Sequence, residues 1–232
     1  MKNKKRILVK LFACTLLVGT TAFAMPAFSK QNTSDFNVVT IETATSDGSE
    51  IKNEDLTLES FADEDIPLAT IGGTSTTSIK NLTSSQLNKI RTNLQNSVNK
   101  ERKARKATKK KTVTKYTKLQ TTGNIRSKEI LKKWSHTRPN GKSWSTVLTS
   151  NGISKKNLKA GEDLAKITFT ARSSYSTSYI NQISNIVHQS LMNSPTHKKV
   201  ILNANYKKIG IGVYSAVKGN KVTVYITEHF KN

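Results

Sequence analysis

Four histidines occur in the chain, and two of them sit in matching surroundings. His136 and His197 each follow an amphipathic run and lie in a short polar turn, Ser135-His136-Thr137-Arg138-Pro139 and Asn193-Ser194-Pro195-Thr196-His197. Carboxylates are scarce between residues 71 and 232, where there are five. One of them, Glu162, follows Ala160-Gly161, where a glycine lets the backbone approach another element closely. Two imidazoles and one carboxylate can hold Zn²⁺ with one position open, or share protons around a substrate. His136, Glu162 and His197 are therefore the candidate metal-ligating set. Their separations of 26 and 35 residues match no local metal motif such as H-E-x-x-H, and the spacing leaves a structural role open for each histidine.

Other groups carry weaker signals. Ser135, Thr137 and Ser194 place hydroxyls near the candidate histidines, but no G-x-S-x-G elbow is present and a protease is not expected. Glu228 shares a strand face with Val222, Val224 and Ile226, where an unpaired carboxylate would be costly. It either faces the candidate set, as an added acid, or is solvated at a strand end. His229, on the opposite face, and His188, on a helix flank, read as structural.

The elements that must position these residues follow from periodicity. Leu87, Ile90, Leu94 and Val98 recur at helical steps behind Thr83-Ser84-Ser85. Leu119, Ile125, Ile130, Leu131 and Trp134 fit a second helix, with the small residues Thr122, Gly123 and Ser127 among them, ending before the turn Pro139-Asn140-Gly141. Trp144 to Leu148 reads as a short helix, and Ile180, Ile183, Ile186, Val187 and Leu191 mark a longer one stopped at Pro195. Ile209 to Tyr214 and Val222 to Phe230 are β-rich runs joined across Lys218-Gly219-Asn220, a hairpin signal. Helices first and paired strands last predict an α+β layered domain over residues 84–232.

The formal charge of +23 is segregated along the chain. Residues 31–70 hold ten acids against Lys52, a balance of −9, whereas residues 71–232 hold 31 cations against five acids, a balance of +26. Residues 25–83 read as a disordered acidic spacer rich in Ser and Thr, with a propeptide folded back on the basic domain as the alternative. The run Lys100 to Lys115 holds nine cations and reads either as a solvated helix end and loop or as a patch for wall polymer or nucleic acid.

Met1 to Lys10 carries five cations and no acid, Ile7 to Phe28 is largely apolar, and Ala22-Phe23-Ala24 supplies a small-residue cleavage site. That is the order of a signal peptide, residues 1–24, expected to leave after Ala24 and to leave no integral membrane span; an uncleaved anchor is the alternative. The sole cysteine, Cys14, would depart with it, so the mature chain would carry no disulfide. Leu-Phe-Ala-Cys is not read as a lipidation site.

Five segments, His136-Thr137-Arg138-Pro139-Asn140-Gly141, Ala160-Gly161-Glu162-Asp163-Leu164, Ser194-Pro195-Thr196-His197, Val200-Ile201-Leu202-Asn203 and Ile209-Gly210-Ile211-Gly212-Val213, occur in the order found in bacterial proteins of the CAP superfamily. The chain resembles these relatives of cysteine-rich secretory proteins, antigen 5 and pathogenesis-related proteins over about residues 84–230. The resemblance implies an α-β-α sandwich with a cleft lined by His136, Glu162 and His197. A second acid of many relatives would fall near Ser194. Asp163 stands where Asn is usual, Leu191 where bacterial relatives often have Trp, and Glu228 where they often have Gln.

Two functions of different class are expected from these features. One is a secreted module, held by charge at the cell wall, whose cleft or basic surface binds anionic envelope polymers, a lipid or host molecules, with incidental adhesion to nucleic acid. The other is a hydrolase acting through His136, Glu162 and His197, alone or with Zn²⁺.

Overall fold

Helix α1 (Ser84–Ala104) opens on a reciprocal cap, in which the Thr83 hydroxyl accepts from the Gln86 amide and the Gln86 side chain accepts from the Thr83 amide. Its buried face, Ile90, Leu94 and Val98, is the one the periodicity predicts, and it runs one turn further to Arg102. The guanidinium of Arg102 is wholly buried and donates to the carbonyls of Lys111, Ile201, Asn203 and Tyr206. One cation in the basic run is thus a structural tie between three chain segments, satisfied by carbonyl dipoles.

The structure is a computed structural model that describes residues 38–44, 50–52, 79–105 and 111–232. The expected signal peptide at 1–24, with Cys14, and most of the expected spacer lie outside the described residues. In chain order the elements are β1 (Val38–Ala44), β2 (Glu50–Lys52), α1, β3 (Thr114–Lys115), α2 (Thr117–Lys132), α3 (Thr146–Ser150), β4 (Ala160–Thr170), α4 (Thr177–Asn193), α5 (Pro195–Ile201), β5 (Lys208–Lys218) and β6 (Lys221–Lys231). The strands form one mixed sheet in the order β2-β1-β4-β6-β5-β3. No helix among the described residues is long and apolar enough to cross a membrane.

The sheet separates two layers of helices. Odd residues of β5, Ile209, Ile211 and Val213, join Ala165, Ile167, Phe169, Val222, Val224 and Ile226 in the main core under α1 and α4. The even positions carry Gly210 and Gly212, on which α2 lies almost in backbone contact. A Cβ on Gly212 would stand 1.9 Å from the Gly123 carbonyl carbon, and one on Gly210 would stand 2.2 Å from Leu119. The Ile-Gly-Ile-Gly-Val run is therefore the meeting of an apolar face with a docking groove for a helix. The hairpin between β5 and β6 turns at Gly219, whose φ of 58° suits glycine.

Two pieces of the stretch expected to be a disordered acidic spacer are strands instead. Residues 38–44 pair antiparallel with β4, and residues 50–52 pair with residues 42–44. The run Val-Val-Thr-Ile-Glu-Thr-Ala is β-branched and alternating, too short to register as a sustained period, and the edge of β4 offers it backbone partners. Ile41 and Thr43 are buried on the α4 side, while Ala44 packs with Ile130 and Leu164 on the α2 side.

Candidate functional site

The row Gly210, His229, Glu162 runs across β5, β6 and β4 beneath α2, because the register pairs Gly210 with His229 and His229 with Glu162. Glycine at 210 lets the helix approach, and α2 then lowers Arg126 onto the carboxylate. Arg126 grips Glu162 with two nitrogens, Nε to Oε2 at 2.9 Å and Nη2 to Oε1 at 3.1 Å. His229 Nε2 donates to Oε2 at 2.9 Å and His136 Nδ1 to Oε1 at 2.7 Å. Burial alone would raise the Glu162 pKa, but the hydrogen bonds from His136, His229 and Arg126 overcome it and hold the carboxyl well below the usual range.

The loop that carries His136 is tied to the same helix. Arg126 Nη2 also donates to the Ser135 carbonyl, and Glu129, one turn along α2, bridges Arg126 and Arg138. The turn closes with Gly141 at φ 79°. His197 arrives from the other layer of helices, one turn into α5. Ser194 precedes that helix, but its hydroxyl makes no cap; it lies 2.8 Å from His197 Nδ1 and 3.0 Å from Thr196 Oγ1.

The two histidines meet on a single atom. His136 Nε2 lies 3.1 Å and His197 Nε2 2.5 Å from the carbonyl oxygen of Ala44, the last residue of β1. A carbonyl only accepts, so each Nε2 carries the proton. In His197 the Nδ1 then accepts from Ser194. In His136 the Nδ1 faces a carboxylate and donates as well. The pair is a two-pronged hydrogen-bond donor aimed at an oxygen, with Glu162 behind it as the group that orients His136.

Glu162 is therefore not a third group converging beside the two imidazoles. Both of its oxygens are taken by Arg126, His136 and His229, and among the described residues no three His, Cys, Asp or Glu side chains converge as a metal-holding group. The set His136, Glu162 and His197 expected to hold Zn²⁺ does not fit that ion in this arrangement; what converges is the imidazole pair alone. Glu228 is also displaced from its expected place. It lies on the same face as Val224 and Ile226, as alternation predicts, but that face is the main core, and Glu162 and His229 lie on the opposite one. His229, read as structural, belongs to the Glu162 cluster, with Thr122 2.8 Å from its Nδ1 and the Trp144 ring stacked on it at 5.5 Å. Arg126 escaped the sequence reading altogether; an arginine amid the small residues of a buried helix face was the available signal.

Opposite Glu162, on the core side, Asp163 faces Glu228 directly across β4 and β6. Both are buried, and among the described residues Asp163 Oδ2 and both Glu228 oxygens have no hydrogen-bond partner. Burial pushes Glu228 up to about 8; burial, then the charges of Glu228 and Glu162, push Asp163 well above the usual range. His188 is buried with neither nitrogen bonded among the described residues, and burial lowers its pKa.

Residues 85–230 match the model of CAP, the cysteine-rich secretory protein family, and the chain belongs to it. Among solved structures it is similar to an extracellular protein containing an SCP domain from Bacillus anthracis, at 18% identity and TM-score 0.44 over 65% of this chain and 44% of that one. It is similar to an outer surface protein of Borrelia burgdorferi at 16% identity and TM-score 0.45, over 67% of this chain and 98% of that one. It is also similar to a cysteine-rich secretory protein of Staphylococcus aureus at 15% identity and TM-score 0.38, over 64% of this chain and 41% of that one. The chain thus spans less than half of the Bacillus and Staphylococcus proteins. No curated protein matches it.

Proposed function

We propose that this CAP protein acts outside the cell as a binding module, adhering to anionic envelope polymer or lipid through its basic surface and holding an acceptor oxygen of a ligand between His136 and His197. The observation that carries the reading is the convergence of two imidazole Nε2 atoms on one carbonyl oxygen. That arrangement suits recognition of a carbonyl, carboxylate or phosphoryl oxygen, since it offers two N–H donors from rings held in place by Glu162 and Ser194.

The distribution of acids supports the surface half of the reading. Of the five carboxyl groups after residue 70, Glu162, Asp163 and Glu228 are buried and Glu129 is shared between two arginines. Glu101, paired with Arg105, is the remaining one. The lysines therefore act on their surroundings with little opposing charge.

The test is retention of the full chain on wall fragments and on anionic vesicles as salt is raised, followed by ¹⁵N spectra of the histidine rings. Binding that falls at least ~tenfold between low and high salt and shifts the His136 and His197 ring signals is expected. Binding that leaves both rings unmoved ends the cleft half, and salt-insensitive binding ends the surface half.

A further inference from the structure

We propose that the edge of β4, together with the His136–His197 pair, is a receiving site for an extended peptide strand, and that β1 is its occupant in cis. The inference rests on the reading above, that the imidazole pair holds a ligand oxygen, and names the ligand class.

Four observations carry it. First, β1 is a guest by position: the family domain begins at residue 85, and β1 precedes it at residues 38–44. Second, its attachment is chiefly a main-chain ladder, Thr40 opposite Thr168 through Ala44 opposite Leu164, which any extended peptide can form. Third, the ladder ends on a dedicated anchor. The Ala44 carbonyl meets one imidazole from the α2 side of the sheet and one from the α5 side, both buried. The open edge of β5 also takes side-chain donors, Asn81 on the Ser215 carbonyl and Arg91 on that of Val213, but each of these is a single donor, whereas Ala44 receives two imidazoles. Fourth, the side chains define a pattern. Ile41 enters the main core, Glu42 pairs with Lys166 at 2.7 Å, and a small residue at 44 fits against Ile130 and Leu164. A peptide with an apolar residue, then an acid, and a small residue two positions further on would reproduce every contact.

Charge favours the cis complex. The segment 31–70 carries −9 and residues 71–232 carry +26, so β1 is drawn to its own domain and held at the high local concentration a tether provides. A competing peptide meets that advantage, and cutting the tether between residues 53 and 78 removes it.

The experiment uses the full chain with a protease recognition sequence placed between residues 60 and 70, and a fluorescent synthetic peptide of residues 36–52 followed by anisotropy. Saturable peptide binding that strengthens at least ~100-fold after cleavage, and weakens at least ~tenfold when the peptide carries Glu42→Lys or the protein His197→Ala, is expected. No exchange after cleavage overturns the proposal. So does loss of the near-ultraviolet circular dichroism when the cut strand is competed away, because a displaceable strand cannot be required for the fold. Hydrogen exchange on the intact chain gives an independent reading: the amides of 38–44 should exchange at least ~100-fold faster than those at the centre of β6, and equal rates overturn the proposal. Salt-sensitive retention on wall fragments, measured on the same samples, separates the two ideas, since failed exchange with intact retention sinks the strand site alone.

Discussion

Asp163 and Glu228 stand directly opposite each other on β4 and β6, two buried carboxyl groups facing the apolar core. Back to back with them, through the thickness of the sheet, Glu162 is saturated by an arginine and two histidines. Adjacent residues of one strand thus carry carboxyl groups shifted in opposite directions, Glu162 below the usual range and Asp163 above it, because strand alternation sends them to different environments.

Glu228 predicts a stability that falls with pH. Its folded pKa of about 8 lies above the ordinary 4.5, so below pH 4.5 both folded and unfolded chains keep the proton. Between those values the unfolded chain releases a proton that the folded chain retains, and stability is lost as pH rises through the window. Glu228→Gln should flatten that slope and raise stability at pH 8 by on the order of 2 kcal/mol, measured by urea denaturation across pH.

Glu162 predicts the reverse on the acid side. Its folded pKa is lowered, so its contribution is present above the ordinary 4.5 and is lost as pH falls below it. Glu162→Gln strands Arg126 in the interior and frees His136 and His229. A loss of about 3 kcal/mol or more at neutral pH is expected, together with doubled or broadened ring signals for His136. An unchanged melting temperature would contradict the cluster.

Gly212→Ala should unseat α2 from the sheet. The added methyl would fall on the Gly123 backbone, which has no flexible end to move aside. The expected cost exceeds about 3 kcal/mol, with loss of the Arg126–Glu162 grip, and is read from thermal unfolding and from the exchange of α2 amides.

Ser194→Ala removes the hydroxyl that meets His197 Nδ1. The ring keeps its bond to Ala44, and with it the Nε2 proton, but its Nδ1 loses the hydroxyl it accepts from. The structure should lose only about 1 kcal/mol, while the ¹⁵N shift of His197 Nδ1 moves to that of a nitrogen without a hydrogen bond and Nε2 stays protonated. Ser194→Asp places an acceptor at Nδ1 while the Ala44 carbonyl still accepts from Nε2, so His197 should then donate from both nitrogens, as His136 does.

The sequence by itself determined the longer helices, the C-terminal hairpin and the identities of the paired histidines, but not strand β4 or helix α5. Leu87 to Val98 and Ile180 to Leu191 write helices in near neighbours, Gly219 writes a hairpin, and the turns at His136 and His197 belong to motifs short enough to read. Even the face of Glu228 was legible, since alternation needs nothing beyond residue parity. Which face carried Glu162 and its partners was not, because that depends on where α2 lands, and α2 lands on Gly210 and Gly212, roughly ninety positions away in the chain. Only the tertiary structure brought Arg126 and His229 onto Glu162, turned that carboxylate from a cleft ligand into a support, and folded Arg102 into the interior. It alone also decided that residues 38–44 are a strand. Their run is too short to hold a conformation unaided; its order comes from the edge of β4, and its end from two imidazole nitrogens that close on the oxygen of Ala44.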